Sequence, residues 1–282
     1  MLELTLWVIL AIVALAFMCE YMDSTLGMGY GTTLTPVLLL FGWSPVKIVT
    51  AVLFSELITG LLASFFHHRE GNVNLKPSTM DVFKIHKLLS PLGYVDNFKK
   101  TVPLHMKTAL LLAVCSIVGT VAAVLIAVNI PKFWLKLYIG VLVLSMGIVI
   151  LFCINKKFKF SWSKMMSLGM IASFNKGMSG GGYGPVVTGG QILAGVQGRS
   201  AVGVTSLAEG LTCLVGVIMY FFFANTNSFD WKLTSWICLG AVLSVPLSAK
   251  SVKIMTEKKL KILIALLTII LGSWTIINTL RS

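Results

Sequence analysis

Charge is scarce in this chain of 282 residues, and acid is the scarcer sign: 12% of residues are charged, with ten Asp and Glu against 23 Lys and Arg. A water-soluble domain carries about 25% charged residues, so a soluble globular protein is excluded and the 56% apolar content must largely face lipid. Cysteine is sparse too. Cys19, Cys115, Cys153, Cys213 and Cys238 fall in or beside apolar stretches at no metal-ligand or disulfide-framework spacing, and read as small buried hydrophobes. The four histidines, His67, His68, His86 and His105, all belong to one polar stretch or its edges, where they are expected to be solvated rather than to ligate a metal. No motif calls for a cofactor. The 13 methionines scatter along the apolar runs as core filler.

What is abundant is long apolar sequence. Runs at 4–22, 48–66, 109–128, 133–154, 200–223, 236–247 and 260–277 mostly reach the roughly 20 residues that cross a bilayer. The first run starts beside Glu3 rather than a basic residue, and no small-residue cleavage site follows it, so it reads as a span and not a secretory leader. The net charge of +13 belongs to the loops on the cytoplasmic side of a membrane, not to nucleic acid.

Two halves are related. Gly29-Tyr30-Gly31 returns as Gly182-Tyr183-Gly184, an offset of 153 residues, and over residues 23–61 that offset gives eleven identities in 39 positions. They include Gly27/Gly180, Thr35/Thr188, Gly42/Gly195 and the intramembrane pair Glu56/Glu209. Apolar bias cannot produce the last. Further on, Leu135-Lys136 matches Leu260-Lys261 and Gly147 matches Gly272 at an offset of 125, which places an insertion of 28 residues in the first half. The insertion falls at 67–105, a basic loop expected to contain at most a short surface helix. The expected organisation is a first repeat over 1–154, with the insertion at 67–105, and a second over 155–282.

Loop charge orients the chain. Six Lys or Arg in 67–105, four in 156–164 and five lysines in 250–261 place these segments in the cytoplasm. Residues 48–66 then run inward and 200–223 outward, so the halves are inverted. Residues 163–195 must enter the membrane and return to the same side, because Arg199 is also cytoplasmic. Glycine and Pro185 within 175–185 deny this segment a continuous helix, leaving a re-entrant or broken-helix hairpin with Pro185 in the first turn of the returning helix. Residues 23–33 repeat it, with Thr32 or Thr33 as cap. The fold class is therefore an all-α polytopic membrane protein of two inverted repeats, each a hairpin plus about three transmembrane helices. Two full spans in place of each hairpin remain an alternative.

Interrupted helices at mid-membrane aim free N–H groups and a positive dipole end at whatever lies between them, which is the plan of anion-carrying secondary transporters. The candidate binding residues are Thr25, Gly29, Tyr30, Gly31, Thr32 and Thr33 in the first half. In the second half they are Lys176, Ser179, Gly180, Gly181, Gly182, Tyr183 and Gly184. The same glycines also suit close helix packing. Lys176 either binds the anion or pairs with its repeat counterpart Asp23. Glu56 and Glu209 either hold free N–H groups of the broken helices, the favoured reading, or carry a coupling proton. Gln197 and Arg199, where the second hairpin joins the next span, are candidates for a gate or a plain interfacial rim. Histidine is absent from the spans and Asp23 has no aspartate counterpart, so an intramembrane hydrolase is not expected.

Gly27-Met28-Gly29-Tyr30-Gly31 with the residues up to Gly42, Gly180-Gly181-Gly182-Tyr183-Gly184-Pro185, Gly195 and the run 199–206 (Arg-Ser-Ala-Val-Gly-Val-Thr-Ser) together resemble the TauE/SafE family of sulfite and organosulfonate transporters. The resemblance spans nearly the whole chain. It implies a multi-pass carrier in the cell (inner) membrane for sulfite, sulfonates or related sulfur anions, often an exporter. Its partners would be a small anionic substrate and the lipid bilayer, and a homodimer is among the assemblies it allows. Met28 against Gly181, and Pro45-Val46 against Gly198-Arg199, mark where the first half departs from the pattern. An anion channel and a carrier of non-sulfur organic anions are the alternatives.

Overall fold

The computed structural model describes residues 5–76, 103–153, 162–193, 196–224, 229–252 and 257–281. Among these residues the chain is all helix, five helices in each half. The first half holds α1 (Leu6–Leu26), α2 (Tyr30–Leu40), α3 (Pro45–Arg69), α4 (Leu104–Asn129) and α5 (Lys132–Cys153). The second holds α6 (Trp162–Ser179), α7 (Tyr183–Leu193), α8 (Gly198–Phe223), α9 (Trp231–Ser251) and α10 (Glu257–Arg281). The surface helix expected in the insertion, most of that loop's lysines and His86 lie outside the described residues.

Six helices, α1, α3, α4, α5, α8 and α9, are long and apolar enough to cross a membrane. At about 1.5 Å per residue they measure roughly 30 Å or more, the thickness of a hydrocarbon core. Their outward faces carry Trp7, Phe65, Val114, Phe152, Phe222 and Leu243, all exposed, an apolar surface no soluble protein displays. Ser44 is extended and Pro45 opens α3, where a missing N–H is harmless. The α9 start is held by Asp230, whose carboxylate accepts from the Leu233 N–H at 3.2 Å. The run 236–247, short by composition, is thereby part of a helix of 21 residues.

α2 and α7 have 11 residues each, about 16 Å, half a bilayer core. Each follows a longer helix through a glycine turn, so each hairpin has one long and one short arm. Gly29, not a threonine, precedes α2; Thr32 and Thr33 lie inside the helix, because the positive φ of Gly29 already turns the chain. Pro185 occupies the first turn of α7.

Small residues define the helix crossings. A side chain on Gly60 would strike Gly210, one on Gly203 would strike His67, and one on Gly216 would strike Leu53. Numbers that rise on α3 as they fall on α8 describe an antiparallel pair. α5 and α10 are also antiparallel, with Gly140 against Ile276 and Gly272 against Leu144. α4 and α6 instead run parallel, Gly169 meeting Leu112 and Gly177 meeting Thr120. α1 packs on α9 as α6 packs on α4, and α3 packs on α9 as α8 packs on α4.

Polar contacts tie the ends of the bundle. At one end Lys47 lies 3.9 Å from Asp230. At the other, Asn72 follows α3, receives a hydrogen bond on its carbonyl from Ser200 and donates its amide to Ala249 O at 3.0 Å. Here the expectation of solvated histidines fails. His67 is fully buried in the last turn of α3, 2.8 Å from Ser24 O and 3.1 Å from Asn72 Nδ2. The Asn72 nitrogen has only hydrogens to offer, so His67 Nδ1 accepts and Nε2–H donates to Ser24. His67 is a brace between α3 and the end of α1, put inside by helix packing that its polar neighbours in sequence conceal.

If glycine is required by space rather than by backbone angle, Gly31→Ala, whose methyl would run into the Gly180 carbonyl, should lower stability by about 1–3 kcal/mol. Gly189→Ala, with nothing within 4 Å of the added carbon, should leave the thermal midpoint in detergent unchanged.

Candidate functional site

Both hairpin turns have one design. Gly27 (φ 69°) ends α1 and Gly180 (φ 73°) ends α6, each a left-handed cap; Gly29 (φ 131°) and Gly182 (φ 80°) then redirect the chain into the short helices. Residues 24–36 and 175–185 are continuously buried, as backbone away from water and out of lipid must be. The turns meet each other. Gly31 lies against the Gly180 carbonyl and Gly181 Cα, and Gly184 lies against the Gly27 carbonyl and Met28 Cα. At these positions the backbone that approaches the glycine is the other hairpin's.

Side chains anchor the turns. Tyr30, wholly buried at the start of α2, bonds Ser55 on α3 through its hydroxyl at 2.7 Å; Tyr183, its counterpart on α7, reaches Ser116 on α4 at 3.4 Å. Thr25 donates to the Tyr21 carbonyl. Ser179 Oγ donates to Asn175 O at 2.8 Å and accepts from the Gly181 N–H at 3.1 Å. A directed chain joins the two hairpins: Thr188 donates to Gly27 O at 2.9 Å, so Thr205 must donate to Thr188 at 2.8 Å while accepting from Gln191 Nε2 at 3.0 Å. Val52 and Leu38 stand at the positions equivalent to Thr205 and Gln191 in the first half, and the equivalent Thr35 hydroxyl has no partner.

The charges gather beside the turns. Lys176 is 1% exposed, contacts Glu56 Oε2 and lies 2.7 Å from Glu209 Oε1. It therefore joins α3, α6 and α8. Its ion pairs are with both glutamates and not with Asp23; Asp23 Oδ1 instead accepts the Tyr30 N–H at 3.2 Å, a resident carboxylate at the α2 N-terminus. The glutamates' bonds go to the lysine rather than to the free N–H groups of the turns. The equivalence of Glu56 and Glu209 in sequence thus marks two jaws on one cation. Glu20, which sequence reading passed over, joins this region from α1; it is 2% exposed and accepts from Ser24 and Thr59. Its signal was present, a lone carboxylate inside the first apolar run, but it lacks a repeat counterpart of its own kind.

Buried polar atoms without a protein partner among the described residues include the hydroxyls of Thr32, Thr33 and Thr35, Gln191 Oε1 and Glu56 Oε1. The three threonines follow the first glycine turn on α2. Gln197 and Arg199 are exposed at the start of α8, where a rim or gate residue would stand. No group of three His, Cys, Asp or Glu suited to a metal occurs among the described residues.

A multi-span helical bundle that buries two interrupted helices and a charged cluster at their turns has the build of a membrane transporter. The chain belongs to the sulfite exporter TauE/SafE family, whose profile matches residues 12–80 and 86–275. It is 24% identical over 276 residues to "Probable membrane transporter protein YtnM" of Bacillus subtilis (strain 168), across 94% of this chain and 81% of that one. No solved structure matches it. It is a multi-pass transporter of the cell membrane.

Removing one partner from a buried ion pair costs about 3–5 kcal/mol because the other charge stays behind. Lys176→Met should therefore sharply lower the thermal midpoint in detergent. Adding Glu56→Gln and Glu209→Gln to it should restore most of the loss.

Proposed function

We propose that this transporter carries a small sulfur-containing anion, sulfite or an organosulfonate such as sulfoacetate or a taurine-derived sulfonate, across the cell membrane by alternating access, coupled to protons and in the direction of export. The observation that carries this reading is the meeting of two half-length helices, α2 and α7, at their N-terminal turns inside the protein, with the unpartnered hydroxyls of Thr32, Thr33 and Thr35 beside the first turn. A sulfonate or sulfite offers three acceptor oxygens. Hydroxyls and helix N-terminal N–H groups satisfy such a headgroup without a dedicated counter-charge, which suits a site whose lysine is already engaged by Glu56 and Glu209. The binding set proposed from sequence, Thr25, Gly29 to Thr33 and Lys176 with Ser179 to Gly184, then divides by role. Thr32 and Thr33 offer donors, the glycines shape the contact between turns, and Lys176 offsets part of the glutamates' charge nearby. That the family is one of sulfite exporters supports the substrate class and the direction.

Alternating access needs two units that rock about a common site. The antiparallel crossings of α3 on α8 and α5 on α10, each helix lying on its own repeat counterpart, support a first repeat over 1–154 inverted against a second over 155–282. Contact between the turns at Gly31 and Gly184 suits an occluding carrier better than an open pore. The excess of carboxylates over the one lysine favours proton uptake when an anion arrives, since like charges in low dielectric repel strongly.

Purified protein warmed with sulfite, sulfoacetate, sulfate or acetate should be stabilised most by the first two. Thr32→Val and Thr33→Val should each weaken that binding by about tenfold or more, the worth of a hydrogen bond to a charged group. Equal shifts with every anion would count against the reading. For the inverted arrangement, in a background without native cysteines, Lys232→Cys should react with an impermeant maleimide in intact cells, and Lys76→Cys only after the cells are opened.

A further inference from the structure

Glu20 is the one carboxylate of the buried cluster whose described partners are all hydroxyls; Asp23 accepts from the Tyr30 N–H, a group that only donates. Ser24 Oγ donates to its Oε1 at 2.6 Å and Thr59 Oγ1 to its Oε2 at 3.1 Å. Glu56 and Glu209 are different, because an ammonium only donates and Lys176 holds both of them as carboxylates. A hydroxyl can donate to a carboxylate or accept from a carboxylic acid. Two hydroxyl partners therefore accommodate Glu20 in either protonation state, whereas a lysine or arginine would hold it in one.

The second half shows the other setting of the same hydroxyl. At the 153-residue offset Thr59 corresponds to Thr212 and Glu20 to Ser173. With no carboxylate opposite it, Thr212 donates to the carbonyl of Ala208 in its own helix at 2.7 Å, and Ser173 donates to Met170 O at 2.9 Å. The bundle thus packs at this position without an acid, and a threonine on this helix face has two stable donors' choices: its own helix carbonyl, or a carboxylate placed across from it. Titratable and charged groups surround Glu20 on several sides: Cys19 and Asp23 on α1, Tyr30 on α2, Glu209 on α8, then Glu56 on α3 with Lys176 on α6, and Cys238 on α9 beside Tyr30.

Resting on the transport reading above, we infer that Glu20 is the residue that carries the coupling proton. In the ionised state it accepts from Ser24 on α1 and Thr59 on α3 and clamps the first hairpin to α3. A proton from one aqueous face adds to Oε2. Thr59 then turns its own hydrogen to the Ser55 carbonyl, the setting Thr212 displays, and accepts the new O–H. Charge-assisted bonds become neutral ones about half as strong, so the clamp loosens, and the hairpin moves without carrying a bare charge through the low-dielectric interior. The proton leaves Oε2 to the opposite face and the clamp re-forms. Glu56 and Glu209 stay paired with Lys176 throughout.

The test uses the full-length protein in proteoliposomes, with two independent readouts. Infrared difference spectra between acid and alkaline buffer should show the carbonyl stretch of a buried carboxylic acid, lost in Glu20→Gln. With radiolabelled sulfoacetate, Glu20→Gln should keep wild-type counterflow while losing accumulation driven by a pH gradient. Thr59→Val, which keeps the acid but removes the hydroxyl that changes roles, should shift the pH midpoint of the infrared band, so the proposal stays testable if Glu20→Gln does not fold. A carboxylic acid band that persists in Glu20→Gln, or gradient-driven accumulation equal to wild type, would overturn the assignment. If the wild type moves no sulfoacetate, the substrate reading fails, while the infrared arm still decides whether Glu20 holds the proton.

Discussion

Where a helix breaks inside a bilayer, its released amide and carbonyl groups find no water, and lipid can satisfy none of them. This chain contains two such breaks and lays each against the other: the turn at Gly27 to Gly31 is covered by Gly180 to Gly184 and covers it in return. The rest of the architecture follows from keeping that contact. Both short helices have to begin in the interior, Tyr30 and Tyr183 have to anchor them sideways to α3 and α4, and neighbouring helices have to approach closely through Gly60, Gly119, Gly177 and Gly210. A single methyl group on either facing glycine would separate the turns.

Onto two halves that repeat in sequence the chain writes unequal charge. Asp23 answers Lys176, Glu20 answers Ser173, and Val52 and Leu38 answer Thr205 and Gln191. One half consequently places a carboxylate at the start of its returning helix, and the other places an ammonium between two glutamates, one from each half. Buried ion pairs contribute little net stability because desolvation offsets attraction. What this one contributes is register: α3, α6 and α8 can meet Lys176 in one arrangement only. The polar chain from Gln191 to Gly27 does similar work across the two turns, and Val52 and Leu38 at the sequence-equivalent positions leave it without a counterpart.

Much of this was legible before any coordinates. Glycine and proline at bilayer depth identify a broken helix because their backbone limits are local and do not depend on neighbours. An acid repeated at 56 and 209 stands out because hydropathy cannot place it there. The partners of those acids were not legible. Repeat equivalence offers Asp23 as one of two roles for Lys176, the other being the anion, but equivalent positions lie on equivalent helices, and contact depends on which helices cross. His67 reads from sequence as the edge of a polar loop, yet it lies in the last turn of α3 with Nε2 2.8 Å from Ser24 O. Glu20 does not stand out in the repeat, because its counterpart is Ser173 and a repeat marks likeness.

Composition, hydropathy and the spacing of glycines by themselves determined that this is a helical membrane protein with two interrupted helices, since lipid solvation and backbone sterics act residue by residue. Only the tertiary structure decided which charges meet, which hydroxyls stay unpartnered and which turn covers which. Those outcomes depend on distances between segments from about thirty to more than a hundred residues apart, and the order of residues along a chain carries no measure of such distances.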